Sequence, residues 1–155
     1  MTLPIISAGL SFKKKLKMEK VTLKSTILRP IDKVWEFYTE PEHITQWNFA
    51  TPEWNCPSAK SDLRSGGNFS YRMEAKDGSF GFDYAGIFDE VIPENKLSYR
   101  LDDGRKVEVS FNKIDDSTTE IIEIFEPEAS HPVEMQREGW NNILHNFEKY
   151  AENNK

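Results

Sequence analysis

The chain has 155 residues and a net charge of −6, and its length suits one domain with a sizeable core. Residues 1–17 hold four lysines and no acid, so residues 18–155 carry −10. A domain this acidic repels phosphate backbones, which argues against nucleic acid as a partner. No stretch is apolar enough to predict a membrane span, and the single Cys56 excludes an internal disulfide, which favours the cytoplasm.

Residues 1–17 differ from the rest of the chain. An uncharged stretch comes first and the lysines follow it, which reverses the order found in a secretory signal. Because a short apolar piece with Pro4 and Gly9 buries little, we predict a flexible arm ahead of one domain at residues 18–155. Two alternatives stay open: an upstream start placed before a natural start at Met18, and a basic amphipathic docking helix.

The first elements of the domain are marked by prolines. Val21 to Leu28 is rich in β-branched residues and predicts a strand. Pro30 predicts the start of a short helix, and Pro41 ends or kinks it. Glu42 to Trp47 predicts a second short helix, set at an angle to the first. Asn48 to Asn55 is predicted to be irregular, either as a rim or lid beside the sheet or as a plug for the core.

Strand signals then follow one another at hairpin spacing up to Glu126. Ser58 to Asp62 is a weak strand candidate. The later strands are separated by turn sequences, which are Ser65-Gly66-Gly67, Lys76-Asp77-Gly78, Pro93-Glu94-Asn95, Asp102-Asp103-Gly104 and Asp115-Asp116-Ser117. Gly86 lies within an alternating strand and predicts a bulge or a close approach by another element. In the last strand, Thr119 to Phe125, Ile121-Ile122 breaks the alternation, so its inner face stays unassigned.

The last long segment, Pro132 to Ala151, predicts one helix of about twenty residues, roughly 30 Å long. Its apolar residues recur at steps of mostly three and four, and they are Val133, Trp140, Ile143, Leu144, Phe147 and Ala151. Pro132 suits the first helical turn, where its missing N–H costs nothing. Together the elements predict an α+β fold in which this helix lies across one curved antiparallel sheet.

Several segments resemble one known family. The matching pieces are Pro30 to Trp35, Glu42 to Trp47, Asp62 to Phe69, Gly86 to Leu97, and Gly139-Trp140 followed by Leu144. From about Glu19 to its end the chain is similar to the START-like (SRPBCC) superfamily, and more narrowly to the family named after the activator of the heat-shock chaperone ATPase (AHSA-type). The resemblance implies a helix-grip fold with about six to seven strands and two short helices after the first strand.

Candidate catalytic groups are scattered. His43, His131 and His145 lack the paired spacing of a zinc site, and we expect all three to be solvated or capping residues. Glu123, Glu126 and Glu128 precede the long helix, and we expect them at solvent-facing strand positions. Burial of one of them in an apolar hollow would raise its pKa, as a general acid requires. We therefore predict no catalytic residue, no metal and no cofactor.

Aromatic residues are the most informative set, with four Trp, ten Phe and five Tyr. Any one ring can simply fill the core, but buried tyrosine hydroxyls need partners and could orient a ligand. The predicted ligand-binding residues are Trp47, Phe49 and Trp54 at the entrance, Phe69, Tyr71, Met73, Tyr84, Tyr99 and Phe111 on the sheet, and Trp140 and Leu144 on the helix.

The leading hypothesis is a non-enzymatic protein that binds a small hydrophobic or amphipathic molecule, with lipids among the candidates, between sheet and helix. One alternative is a chaperone-associated interaction module with a role in stress response, as the resemblance implies. The other is a cyclase- or hydrolase-type enzyme that uses a buried carboxylate.

Overall fold

A computed structural model describes residues 19–154. Seven strands form one antiparallel sheet, in the order β1-β7-β6-β5-β4-β3-β2. The strands are β1 (Val21–Ile27), β2 (Trp54–Ser61), β3 (Asn68–Ala75), β4 (Gly81–Ile92), β5 (Lys96–Leu101), β6 (Lys106–Asp115) and β7 (Thr118–Phe125). The helices are α1 (Ile31–Thr39), α2 (Pro41–Ile44) and α3 (Val133–Asn153). The predicted helix-grip architecture is confirmed, whereas the predicted arm at residues 1–17 lies outside the described residues.

One sequence-based boundary is wrong at the edge of the sheet. Strand β2 begins at Trp54, so it takes in the end of the segment predicted to be irregular and starts before the weak candidate at Ser58. Its pairing with β3 shifts register between Asn55 and Ser58, around Pro57. A proline cannot donate to the ladder and is tolerated on an edge strand or at such an irregularity. Because this irregularity interrupts the strand pattern, the sequence did not predict the full strand.

Gly86 shows why one strand position excludes a side chain. A Cβ at Gly86 would lie 2.1 Å from the Arg100 carbonyl oxygen of neighbouring β5. The predicted close approach is therefore confirmed, while the register shift in this strand pair falls between Phe88 and Glu90. Such a shift lets β4 bend, which favours a curved sheet.

Strand β7 alternates strictly between its two faces. Thr119, Ile121, Glu123 and Phe125 are buried, and the residues between them are partly exposed. Pairing with β1 on one side and β6 on the other fixes this register. Because side chains alternate with a period of two, the register places one acidic residue, Glu123, on the inner face together with apolar residues.

The two halves of α3 meet the rest of the molecule differently. In the carboxy-terminal half, Leu144, Phe147 and Ala151 are buried in the core. Two hydrogen bonds attach this half to the first strand and the residue after it, from the Ser25 hydroxyl to Glu148 at 3.1 Å and from the Leu28 N–H to Glu152 at 2.9 Å. The first half is not packed in this way and covers a cavity instead.

Candidate functional site

A cavity of about 560 Å³ lies between the sheet and the first half of α3. Seven of the predicted ligand-binding residues line it, namely Trp47, Trp54, Tyr71, Met73, Tyr84, Tyr99 and Trp140. This volume falls within the range that small-molecule sites usually have, and the lining is mainly apolar, with Trp, Tyr and Phe rings among it. The cavity is therefore the candidate site.

Four other predicted residues do not line this cavity. Phe69, Phe111 and Leu144 are buried in the core, with exposed fractions of 3%, 2% and 2%. Phe49 lines a separate, more open hollow beside the carboxy-terminal half of α3. The Asn146 side-chain amide donates a hydrogen bond of 2.5 Å to the Phe49 carbonyl oxygen, which holds this loop against the helix.

Trp140 forms the wall of the cavity on the helix side. Its ring stacks on Phe125 of β7, with centroids 4.1 Å apart and planes inclined by 8°. It also meets the edge of Tyr84 at 6.3 Å. Gly139 lies beside it on the same wall, and a Cβ there would have nothing within 4 Å. The helix therefore presents one large fixed ring next to open space.

Two of the tyrosine hydroxyls predicted to lie on the sheet wall form a hydrogen bond with each other. The Tyr84 and Tyr99 oxygens are 2.8 Å apart. Burial raises the pKa of both hydroxyls, so both stay protonated at neutral pH. One proton serves the bond between them, and the second hydroxyl keeps a proton that it can donate elsewhere.

Glu123 is the main departure from expectation. We expected a solvent-facing carboxylate, but Glu123 is 6% exposed and lines the cavity. The Tyr38 hydroxyl donates a 2.6 Å hydrogen bond to its Oε2, while Oε1 is buried without a partner. Burial raises the pKa of Glu123 to about 7, and the hydrogen bond from Tyr38 offsets part of this effect. Near neutral pH this carboxyl can therefore hold or release a proton.

Polar residues gather on the segment that joins β7 to α3 and in the first turn of α3. The Gln136 side-chain amide donates to the carbonyl oxygens of Glu128 and His131, at 2.9 Å each, and accepts from the Glu128 N–H at 2.8 Å. Hydrogen bonds from the Ser130 hydroxyl and from His131 lower the pKa of Glu128 to about 2. All of these residues except Ser130 line the cavity. Their mutual bonds fix the backbone at this side of the site.

Sequence reasoning missed several residues of this site. Tyr38, on α1, and Arg105, in the turn before β6, both line the cavity. The hydroxyl of Tyr38 gave no local sequence signal of its partner Glu123, which lies 85 positions away. Arg105 forms an ion pair with Asp103 at 2.8 Å. For Glu123 the signal was only partial: it lies two residues before Phe125 and shares its face, but the sequence left the inner face of this strand unassigned.

His43 is neither solvated nor a helix cap, which corrects the expectation for this histidine. Its ring packs edge-on against Phe37, and its Nδ1 lies 2.6 Å from the Tyr150 hydroxyl. Its Nε2 faces the carboxylates of Glu36 and Glu40, at 3.5 Å and 3.9 Å. This arrangement ties α1 and α2 to the end of α3. His131 and His145 are exposed, as expected.

The geometry suits the retention of a small molecule with a large apolar surface and one polar end. Aromatic rings line the walls, and the inner wall carries a carboxyl group and tyrosine hydroxyls. A few oriented polar groups in an apolar pocket are the usual basis of specific binding. Within residues 19–154, no helix is long and apolar enough to cross a membrane.

Comparison with known proteins gives the family. The model of the family described as "Activator of Hsp90 ATPase homolog 1-like protein" matches residues 29–152. None of the curated proteins matches this chain.

Solved structures agree with the family match. An AHSA1-like protein from Aeromonas hydrophila is 39% identical, with a TM-score of 0.81 over 86% of this chain and 92% of that one. A protein from Cytophaga hutchinsonii is 45% identical, with a TM-score of 0.76 over 87% and 93%. A protein from Nitrosomonas europaea, 22% identical with a TM-score of 0.73, covers 84% and 92% and shows the shared fold alone. The chain therefore belongs to the Activator of Hsp90 ATPase homolog 1-like family, within the START-like superfamily.

Proposed function

We propose that this protein binds a small hydrophobic or amphipathic molecule in the cavity between the sheet and α3. The observation that carries the proposal is the cavity itself, with a volume of about 560 Å³ and walls that are mainly apolar and include several aromatic rings. Apolar surface of this extent gains free energy when it is covered by a ligand instead of water. Trp140 and Tyr84 would contact the body of the ligand, and Glu123 would contact its polar end.

The proposal ranks above a chaperone contact. The family description names an Hsp90 ATPase activator, which makes a chaperone a reasonable partner for members of the family. The cavity, in contrast, is a feature of this chain itself and is built from its own side chains. Membership alone does not select one member's partner, because function is argued from a site and not from a fold.

An enzyme of cyclase or hydrolase type is the second candidate, and the buried Glu123 favours it. A carboxyl with a pKa of about 7 can act as a general acid or base near neutral pH. Any turnover found with small ester or ketone substrates would then change with pH near 7, and Glu123→Gln would abolish the turnover. Turnover that survives in Glu123→Gln would remove this candidate.

Filling the cavity tests the binding proposal. In the Gly139→Leu variant the new side chain enters open space on the cavity wall, because a Cβ there meets nothing within 4 Å. We expect this variant to bind Nile red, an uncharged apolar dye, at least about tenfold more weakly than the wild type. Dye fluorescence titrations measure this difference.

The matched control is His145→Leu, which adds the same side chain to an exposed position of the same helix. We expect its dye affinity to equal that of the wild type within about threefold. Equal affinity in Gly139→Leu and the wild type would contradict the proposal, since the dye would then bind outside the cavity. Absence of dye binding to the wild type would contradict it as well.

A further inference from the structure

We propose that the ligand of the cavity is an apolar or aromatic molecule that carries a protonated amine, and that this amine pairs with the Glu123 carboxylate. The inference rests on the proposed function and names the chemical class of its ligand. It is carried by the unpaired oxygen of Glu123, by the absence of a cationic partner in the described part of the chain, and by the rings around the carboxyl.

The first step is the hydrogen-bonding state of Glu123. Four buried side-chain polar atoms in residues 19–154 have no partner, on Arg29, Asn55, Ser61 and Glu123. Of these residues, Glu123 alone lines the cavity. A carboxylate can accept several hydrogen bonds, but among residues 19–154 the Tyr38 hydroxyl is the one donor to Glu123. A buried acceptor without a partner is unfavourable, so a ligand that donates to it is favoured.

The second step is charge. Within residues 19–154, burial and the Tyr38 hydrogen bond set the pKa of Glu123, and no cationic side chain contributes. Arg105 also lines the cavity, but Asp103 holds its guanidinium at 2.8 Å. A hydroxyl on the ligand would satisfy the unpaired oxygen but would leave the buried negative charge uncompensated. A protonated amine donates to the unpaired oxygen and also compensates the negative charge.

The third step is the surroundings of the carboxyl. The rings of Tyr84, Tyr99 and Trp140 line the same cavity, and aromatic faces attract cations. Residues 18–155 carry a net charge of −10, which raises the local concentration of cations around the domain. Both effects favour an amine over an acid or a neutral ligand of the same shape.

The titratable groups around Glu123 allow this pairing. Burial raises the pKa of the Tyr38, Tyr84 and Tyr99 hydroxyls, so these groups stay neutral and do not compete for the amine. Burial also raises the pKa of Glu123 to about 7, so the carboxyl is mostly ionised at about pH 8. Glu128 and His131 also line the cavity, but they bond to each other at 2.5 Å.

Two probes of equal shape test the inference: biphenylmethylamine, whose amine is protonated at about pH 8, and biphenylmethanol, which is neutral. We expect isothermal titration calorimetry at about pH 8 to show the amine binding to the wild type at least about tenfold more tightly than the alcohol. In Glu123→Gln this preference should fall below about threefold. Continued binding of the alcohol to the variant would show that its cavity is intact.

The matched control is Glu120→Gln, which removes an acid from the opposite face of the same strand and should keep the preference for the amine. The inference is overturned if the wild type binds both probes equally, in which case the proposed function stands and only the ligand class is wrong. It is also overturned if the preference survives in Glu123→Gln, or if Glu128→Gln removes it instead, since the amine would then lie elsewhere. A wild type that binds Nile red but neither probe overturns the inference alone, and one that binds none of the three overturns the proposed function as well.

Discussion

Replacing Leu144 with alanine is expected to lower the free energy of unfolding by about 2–5 kcal/mol. Leu144 is 2% exposed and packs in the core beneath the second half of α3. Removal of its side chain leaves a void that the surrounding rings cannot fill, so the lost burial and the new cavity both contribute to the loss. Urea unfolding followed by circular dichroism measures the difference.

The adjacent residue provides the control. Ile143 lines the cavity and is only partly buried, so Ile143→Ala creates no new closed void. We expect a loss of about 1 kcal/mol, because little apolar surface is re-exposed and alanine is the better helix former. Equal losses in the two variants would mean that the cavity is closed up in solution. A loss in Leu144→Ala below about 1 kcal/mol would place Leu144 on the cavity wall.

The contrast between Ile143 and Leu144 shows what helix periodicity can predict and what it cannot. The apolar stripe of α3 correctly predicted which face of the helix meets the sheet, and both Ile143 and Leu144 belong to it. Periodicity cannot show that the second half of the helix is packed while the first half covers open space. That difference depends on the curvature of the sheet and on the position of α1, which no single segment encodes.

The turns were predictable because their chemistry is local. Gly66, Gly78 and Gly104 all adopt positive φ, as expected from the turn sequences in which they occur. The edge strand β2 was less predictable, since Pro57 interrupts its pattern and its pairing with β3 is needed to define it. Local signals therefore predicted the hairpins, and they failed where the partner strand decides the structure.

Glu123 marks the limit of prediction for the site. An acidic residue between Ile122 and Ile124 is normally exposed, and composition alone favours that interpretation. The register of β7 with β1 and β6 contradicts that interpretation. It places Ile121 and Phe125 on the buried face, and Glu123, which lies between them, is on the same face. The cost of burying this carboxyl is the kind of local conflict that often marks a functional site.

This conflict predicts how stability changes with pH. Relative to Glu123→Gln, the wild type is expected to lose about 2–3 kcal/mol of unfolding free energy between about pH 5 and about pH 8. In the folded protein, burial raises the pKa of Glu123 from its ordinary value of 4.5 to about 7. Between these two values the folded state keeps a proton that the unfolded state has released, so stability falls as the pH rises and levels off above about 7.

Urea titrations of the wild type and of Glu123→Gln at both pH values measure this change. The difference in unfolding free energy between the two proteins is compared at about pH 5 and about pH 8. Groups that both proteins share cancel, and the buried hydroxyls of Tyr38, Tyr84 and Tyr99 do not ionise in this range because burial raises their pKa. Glu120→Gln, on the opposite face of the strand, should follow the wild type within about 0.5 kcal/mol. If the difference in unfolding free energy between the wild type and Glu123→Gln stays constant with pH, Glu123 is solvated in solution. The cavity would then lack the buried acid on which ligand selection depends.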